Sequence, residues 1–267
     1  MAVVRTTFRG RVLVLMLLCS VMADGVGCSG KPQSEREDPA VLTAALGAIQ
    51  HRMAQVRDYE LEGSVEDVAS GQTLRFRYAM QQPQLAAATI VGARSFVFDG
   101  KVLAVFDEAD KSAVRRDLSG NEQTLLLTLH EIFSQFVCEG WRPPLLKPQG
   151  TRAFVSTDKD GDRWQLRVPI EDAKLAENRI VLRAPGGDFV SREVVDKAGA
   201  VVFSTRVLEE YLDPATGLRF PRAWEVSSPA GGGTQRVRLE KITVNGGIAA
   251  ERFRTEIPAG FTEKKDP

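Results

Sequence analysis

The sequence from about residue 59 onward alternates apolar and polar residues with a period of two, which is the side-chain period of a β-strand. Between residues 74 and 80, Leu, Phe, Tyr and Met alternate with Arg, Arg and Ala. Asp99-Gly100, a dipeptide favoured in tight hairpin turns, joins two such segments, 96–98 and 102–106. Strands with one apolar face must pair to bury that face, so this pattern predicts a sheet.

A second series of strands follows the proline-rich segment 140–150. Its members are predicted at Trp164–Val168, Arg179–Ala184, Phe189–Val195, Ala200–Val207, Leu218–Val226 and Thr234–Val244. Turn sequences such as Asp196…Gly199 separate them. The strands do not alternate with helices as βαβ crossovers would require, so we expect an antiparallel sheet. The fold class is therefore mainly β (α+β).

Two segments instead repeat apolar residues at helical spacing. Asp38 supplies a capping carboxylate and Pro39 suits a first helical turn, which predicts a helix over residues 39–57. Leu, Ile and Phe residues at the same spacing predict a second helix over 121–137. His51 lies off the apolar stripe of the first helix, so we expect it on the surface.

The first 27 residues have the composition of a secretory signal. Arg5, Arg9 and Arg11 precede the apolar run Val12–Met22. Because a transmembrane helix needs about 20 apolar residues, this run is too short to remain in a bilayer. We expect residues 1–27 to be a signal peptide that is removed.

The sequence Gly25-Val26-Gly27-Cys28 resembles the lipobox of bacterial lipoproteins, with Gly25 at the position where leucine is usual. The resemblance implies that Cys28 carries a lipid and becomes the mature N-terminus. The polar segment 28–38 is then typical of a flexible tether between the lipid and the folded domain. Ser29 is similar to the signal that directs many such lipoproteins to the outer membrane, here facing the periplasm. The alternative is an ordinary secretory signal with Cys28 unmodified.

Charge and cysteine content exclude two classes of function. The chain has 35 basic and 35 acidic residues, and this formal net charge of zero provides no field for nucleic-acid phosphates. Three cysteines and two histidines are too few for a zinc cluster or a disulfide framework. Once the signal is removed and Cys28 is lipidated, the chain offers Cys138 no second cysteine for a disulfide, so we expect it to be a buried, inert thiol.

The catalytic and metal-binding motifs are incomplete. His130-Glu131 begins like a metalloprotease helix, but Ser134 stands where the second histidine is required. The three aspartates within 158–162 lack the spacing of an EF-hand and favour a hairpin turn around Gly161. We therefore expect no metal, no cofactor and no enzymatic activity.

The order of helix, strands, second helix and further strands resembles the LolA/LolB-like family of lipoprotein carriers. The resemblance covers most of residues 39–262 and includes the closing run Phe253–Phe261, the Asp99-Gly100 hairpin and the Asp196…Gly199 hairpin. It implies a strongly curved antiparallel sheet, an incomplete β-barrel wrapped around helices, in a single lipid-binding domain over 39–267. It also implies an apolar cavity and no catalytic residues.

Apolar residues on the predicted strands and the second helix are the candidates for lining that cavity. They are Phe76, Tyr78, Met80, Leu126, Leu129, Phe133, Trp164 and Trp224. The alternative for each is ordinary core, because apolar periodicity reports burial rather than ligand contact. The leading hypothesis is a lipid-anchored outer-membrane lipoprotein that binds an acyl chain, a lipid or a lipoprotein for transport or localisation. A non-catalytic sensor or scaffold that binds a protein partner is the second hypothesis.

Overall fold

The computed structural model describes residues 36–82, 84–119, 137–141, 149–229 and 233–264. In chain order the elements are β1 (Arg36–Glu37), α1 (Pro39–Gln55), β2 (Asp58–Asp67), β3 (Thr73–Gln81), β4 (Leu85–Ile90), β5 (Arg94–Phe98), β6 (Val102–Asp107), β7 (Ser112–Asp117), β8 (Arg152–Asp158), β9 (Gly161–Pro169), β10 (Leu175–Arg183), β11 (Asp188–Asp196), β12 (Val201–Leu212), β13 (Arg219–Ser228), β14 (Gly233–Val244), a short 3-10 helix (Ala250–Phe253) and β15 (Thr262–Glu263).

All strands of the described residues belong to one curved, unclosed sheet. Its order is β1-β8-β9-β10-β11-β12-β13-β14-β2-β3-β4-β5-β6-β7-β15. Neighbouring strands are antiparallel except β15, which runs parallel to β7. The order follows the chain in two runs, β2 to β7 and β8 to β14, and the pairing of β14 with β2 joins them. The predicted fold class is confirmed.

Aspartate side chains hold the predicted hairpin turns. Asp99 Oδ1 accepts hydrogen bonds from the backbone N–H groups of Lys101 (2.9 Å) and Val102 (2.8 Å), and Gly100 has a φ of +96°. Asp158 closes the β8–β9 turn by accepting from the N–H of Asp160 at 2.8 Å. This arrangement confirms that the aspartates near Gly161 belong to a turn. The second predicted helix lies almost wholly in 120–136, outside the described residues.

Helix α1 begins as its sequence predicts. Asp38 Oδ1 accepts a hydrogen bond from the N–H of Ala40 at 3.0 Å, and Pro39 occupies the first turn. The helix ends at Gln55, two residues before the predicted end at 57. Val41 and Ala45 are buried against the sheet, whereas His51 is exposed as expected.

The face of the sheet against which α1 packs is here called the inner face. Alternate residues of the strands point to it and form the largest apolar cluster, which includes Tyr59, Leu61, Leu166 and Ile180. Cys138 lies in the same cluster and is 4% exposed, as predicted for a buried thiol. The inner face is therefore the main core of the domain.

The opposite, outer face is covered over strands β3–β7 by residues 248–261, here called the C-terminal segment. Its buried Phe253 packs with Ile248, Ile257 and Phe261 against alanines of the sheet. Asp99 Oδ2 accepts a hydrogen bond from Thr255 Oγ at 2.7 Å, which ties this segment to the β5–β6 turn. A half-open groove of about 250 Å³ remains between the segment and β4–β6.

Two-residue strands lie at both ends of the described sheet. β1 pairs with β8 through Glu37 and Phe154, and β15 pairs with β7 through Thr262 and Ser112. Short edge strands limit the pairing of exposed backbone groups with other chains. Because β1 comes from the end of the segment interpreted as a tether, that segment enters the domain beside β8.

Candidate functional site

An apolar row crosses four strands of the inner face from solvent to the core. Leu74 of β3 lies opposite Val65 of β2, Val65 opposite Val237 of β14, and Val237 opposite Trp224 of β13. Directly opposite residues of antiparallel strands point to the same face. Leu74 is 57% exposed, whereas Val237 and Trp224 are each 2% exposed. The row therefore continues an exposed apolar edge into the buried core.

Neighbouring strands widen this exposed edge. Ile90 of β4 lies opposite Phe76 of β3, and Val65 and Ile90 are both partly buried against the main cluster. We call Val65, Leu74 and Ile90 the apolar rim. Apolar surface of this kind, continuous with a core, is suited to hydrocarbon because burying it removes its contact with water.

An aromatic cluster fills the inner face on the side of helix α1. Trp141 stacks on Phe220 with ring centroids 4.4 Å apart and lies 5.1 Å from the ring of Tyr59. The Nε1–H of Trp141 donates to the carbonyl of Pro221 at 2.7 Å. Tyr59 in turn stacks on Tyr78 at 5.8 Å. This side of the face is occupied by the protein's own rings, whereas the rim carries an exposed apolar side chain, that of Leu74.

A buried ion pair lies on the same face, between Arg192 of β11 and Glu139 of the segment 137–141. Arg192 Nη1 donates to Glu139 Oε1 at 2.5 Å, with side chains 20% and 5% exposed. Its Nε donates to Asn178 Oδ1 at 2.9 Å. Because Arg192 lies opposite Ile180 of the core cluster, the pair places charge within the mainly apolar inner face. This ion pair holds residues 137–141 against the sheet.

Helix α1 is fixed at its C-terminal end by Arg52, which is 8% exposed. One guanidinium nitrogen donates to Asp188 Oδ1 and another to the carbonyl of Arg219, each at 2.5 Å. The guanidinium also lies 5.3 Å over the ring of Phe220. Burial lowers the pKa of Arg52, and the charge and hydrogen bond of Asp188 oppose that shift. The role of Arg52 is to hold the helix against β11 and β13.

The candidate cavity residues occupy different environments. Phe76, Tyr78 and Trp224 are buried in the main cluster, and Met80 and Trp164 are partly buried against it. Cys28, Leu126, Leu129 and Phe133 lie outside the described residues. The rim residues Val65 and Ile90, and the central Trp141, were not among the candidates. Alternation alone could have indicated Leu74, which precedes Phe76 on the same face.

The described part of the chain has no group of three or more His, Cys, Asp or Glu side chains arranged to hold a metal ion. No helix within the described ranges is long and apolar enough to cross a membrane. Among the described residues, the inner face thus presents mainly apolar and aromatic surface with the ion pairs Arg192–Glu139 and Arg52–Asp188 within it, an arrangement that can bind hydrocarbon through burial.

Solved structures share this architecture. A DUF1329 family protein from Desulfovibrio piger superposes with a TM-score of 0.56 at 13% identity, covering 81% of this chain and 98% of its own. A putative outer membrane lipoprotein-sorting protein domain from Vibrio parahaemolyticus gives 0.52 at 11% identity, covering 79% and 97%. A LolA superfamily protein from Nitrosomonas europaea gives 0.48 at 14% identity, covering 82% and 98%.

The chain shares the fold of the first two of these structures, a curved and unclosed antiparallel sheet, which is the fold that the resemblance to the LolA/LolB-like family implies. This confirms the resemblance drawn from the order of helices and strands. At these sequence identities, the similarity between the chain and these proteins extends to the fold alone. Neither a protein-family model nor a curated protein sequence matches the chain.

Proposed function

We propose that this protein is a lipid-anchored envelope lipoprotein that binds acyl chains, or the lipid part of lipoproteins, for their transport or localisation. The observation that supports this most directly is the apolar row from exposed Leu74 to buried Trp224 on the inner face of an unclosed sheet. The Vibrio structure of the same fold is described as a lipoprotein-sorting domain, which agrees with the proposal.

The proposed mechanism is reversible burial of hydrocarbon, without covalent chemistry. Each methylene removed from water contributes about 0.8 kcal/mol. The rim would accept the end of an acyl chain first, and movement of partly buried side chains such as Met80 would admit more of it. The protein is accordingly proposed to be a non-catalytic binding protein.

The proposed anchor is a lipid on Cys28, exposed after removal of residues 1–27, which holds the protein at the outer membrane facing the periplasm. A Cys28→Ala variant tests this, because it cannot form the thioether. We expect the native chain in the membrane fraction and the variant in the soluble periplasmic fraction. A variant that stays with the membrane after a carbonate wash would contradict the proposed anchor.

Acyl-chain binding is best tested on the Cys28→Ala chain with a fluorescent long-chain fatty acid. Leu74→Asp places a charge on the rim, and Leu208→Asp is a matched control because Leu208 is also exposed, at 48%, but lies outside the core cluster and the rim. Loss of a buried leucine contact of about 1.5–3 kcal/mol predicts at least about tenfold weaker binding for Leu74→Asp. Equal weakening by both variants, or no binding by the parent, would reject the proposal.

A protein-binding sensor or scaffold is the second candidate function. The dense packing of Trp141, Phe220 and Tyr59 favours it, because a filled inner face leaves the rim as a surface rather than a deep cavity. A scaffold would carry no lipid after purification in mild detergent-free buffer. Mass spectrometry of the purified protein therefore separates the two candidates. Co-purified lipid supports the carrier. The scaffold is supported by the absence of lipid together with a protein complex that is lost when Leu74 is replaced.

A further inference from the structure

Three polar side chains lie together on the inner face, beside the carboxylate of Glu139. Thr205 of β12 lies opposite Arg192 of β11, and Asn178 of β10 accepts a hydrogen bond from Arg192 Nε at 2.9 Å. Thr205 points to the same face as Val207, which is two residues further along β12 and packs against the main core cluster. We call Asn178, Arg192 and Thr205 the donor group.

Each member of the donor group keeps a hydrogen-bond donor that no described residue accepts. Thr205 is 3% exposed, and its hydroxyl makes no hydrogen bond within the described part of the chain. Arg192 uses Nη1 for Glu139 and Nε for Asn178, which leaves Nη2 without an acceptor among the residues that the structure describes. The Asn178 NH2 group is in the same position within the described ranges, because its hydrogen bond to Arg192 uses Oδ1. Since buried polar groups are normally hydrogen-bonded, the donor group is suited to a ligand that brings an acceptor.

The charge of the donor group is already balanced. Arg192 pairs with Glu139 at 2.5 Å, and the Glu139 side chain is 5% exposed. A ligand carboxylate bound at Arg192 would lie near this buried carboxylate, and like charges at short range repel strongly in a poorly solvated site. A carbonyl oxygen accepts hydrogen bonds without adding charge. The donor group therefore suits a neutral acceptor better than an anion.

The donor group lies at the inner end of the apolar row. Val207 lies opposite Trp224, so the row continues from Leu74 on β3 to β12, across four strand spacings. Strand spacings of about 4.8 Å give the row a length of about 19 Å. One acyl chain occupies a similar depth in a bilayer leaflet, about 15 Å, which is half of the hydrocarbon core. A chain that lies along the row with its terminal methyl at the rim would therefore bring its carbonyl group to Thr205.

We propose that the donor group binds the carbonyl oxygen of an acyl ester or amide, and that the inner face thereby prefers neutral acyl lipids to free fatty acids. This inference deepens the proposed function and rests on it, since the hydrocarbon of the same ligand occupies the apolar row. The glyceryl esters of a lipid and the N-acyl group of a lipidated protein both carry such a carbonyl.

The test uses the Cys28→Ala chain and three ligands with the same long acyl chain: the free fatty acid, its glycerol monoester and its ethanolamide. Displacement of the bound fluorescent fatty acid at neutral pH, where the free carboxylate is ionised, gives the three affinities. At least one neutral ligand should bind about two- to tenfold more tightly than the fatty acid, which is the range for one hydrogen bond. The tighter neutral ligand identifies the ester or the amide as the source of the carbonyl. Neutral ligands that bind no more tightly than the fatty acid would overturn the inference.

The variant Thr205→Val separates binding by the donor group from a general preference for apolar ligands. Valine keeps the shape of the side chain and removes the hydroxyl, so the tighter neutral ligand should bind about two- to tenfold more weakly. Binding of the free fatty acid should be unchanged. Thr243→Val is the matched control, because Thr243 follows the core residue Ile242 on β14 and so points to the outer face. Equal effects of the two valine variants on the neutral ligand would overturn the inference.

The variant Glu139→Gln tests the charge balance. It leaves the charge of Arg192 unpaired, and hydrogen bonds to charged groups are stronger than those between neutral groups. The affinity of the fatty acid relative to the neutral ligand should therefore rise about tenfold, and an unchanged ratio in a folded variant would contradict the inference. A parent chain that binds fatty acid but shows no preference for neutral ligands rejects the donor group and leaves acyl-chain binding intact. A parent chain that binds none of the three ligands rejects both proposals.

Discussion

Arg52 and Asp188 form an ion pair at 2.5 Å that joins helix α1 to the first residue of β11. Their side chains are 10% and 14% exposed. Arg183 approaches the same carboxylate at 3.7 Å, and the second hydrogen bond of Arg52 reaches the backbone at the start of β13. One side chain thus connects the helix to two strands that are separated by β12.

Replacing Arg52 with methionine should destabilise the domain by about 3 kcal/mol. This is the lower end of the range for breaking a buried ion pair, because Arg183 still lies near Asp188 and offsets its charge. Urea unfolding followed by circular dichroism gives the free energy of unfolding. Asp188→Asn and the double variant complete a double-mutant cycle. A coupling energy near zero would show that the pair does not hold the helix.

Trp141→Phe should destabilise the protein by about 1–3 kcal/mol. Phenylalanine keeps the stacking on Phe220 but removes the N–H that donates to Pro221, and a buried carbonyl without its donor carries a desolvation cost. Trp141→Ala removes the ring as well and should cost about 3–5 kcal/mol. Equal free energies of unfolding for the phenylalanine variant and the native chain would contradict the role given to this hydrogen bond.

The strands that could be predicted from sequence are those with one apolar face. β3 is an example, because Phe76 and Tyr78 are buried while Arg75 and Arg77 are exposed. β4 was not predicted, since its Ala86 and Ala88 enter the main cluster while Ala87 packs under the C-terminal segment. Burial on both faces removes the alternation on which the prediction depends. β8 was missed for the same reason, as its neighbouring apolar residues 153 and 154 are both buried.

The candidate site was only partly predictable because it depends on register. Phe76 and Trp224 can be assigned to apolar strand faces, and the hairpin turn places Leu74 near Val65, but nothing in the local pattern indicates that Val65 lies opposite Val237. The pairing of β14 with β2, by contrast, is a long-range contact whose register no local pattern sets.

The attachment of the C-terminal segment should depend on pH through Asp99. Burial raises the pKa of Asp99, but hydrogen bonds from the N–H of Val102, the hydroxyl of Thr255 and the N–H of Lys101 lower it by more, so the net pKa is lowered. A lowered pKa in the folded state means that the stabilisation is present above the pKa of an unfolded aspartate, about 3.9, and is lost as the pH falls through the folded value.

Carboxyl chemical shifts from NMR measure this titration directly. Thr255→Val removes one of the hydrogen bonds that lower the pKa, so Asp99 should titrate at higher pH in that variant than in the native chain. Asp99→Asn should be less stable than the native chain at neutral pH, with a difference that shrinks in acid. A difference in stability that stays constant as the pH falls from neutrality to well below the pKa of an unfolded aspartate, about 3.9, would contradict this linkage.

Two glycine-to-alanine substitutions should act in opposite directions. Gly63 lies on β2 opposite Leu239, and a Cβ there would collide with the backbone carbonyl of Arg238. Because a backbone atom cannot move aside without separating β2 from β14, Gly63→Ala should destabilise the domain by about 1–3 kcal/mol.

Gly47 lies exposed within α1 with no atom within 4 Å of the added Cβ, so Gly47→Ala should stabilise the domain by about 0.5–1 kcal/mol. Urea midpoints of the two variants, compared with the native chain, measure both effects. A Gly63→Ala variant as stable as the native chain would contradict the close contact between β2 and β14, and a destabilised Gly47→Ala variant would contradict the open space beside α1.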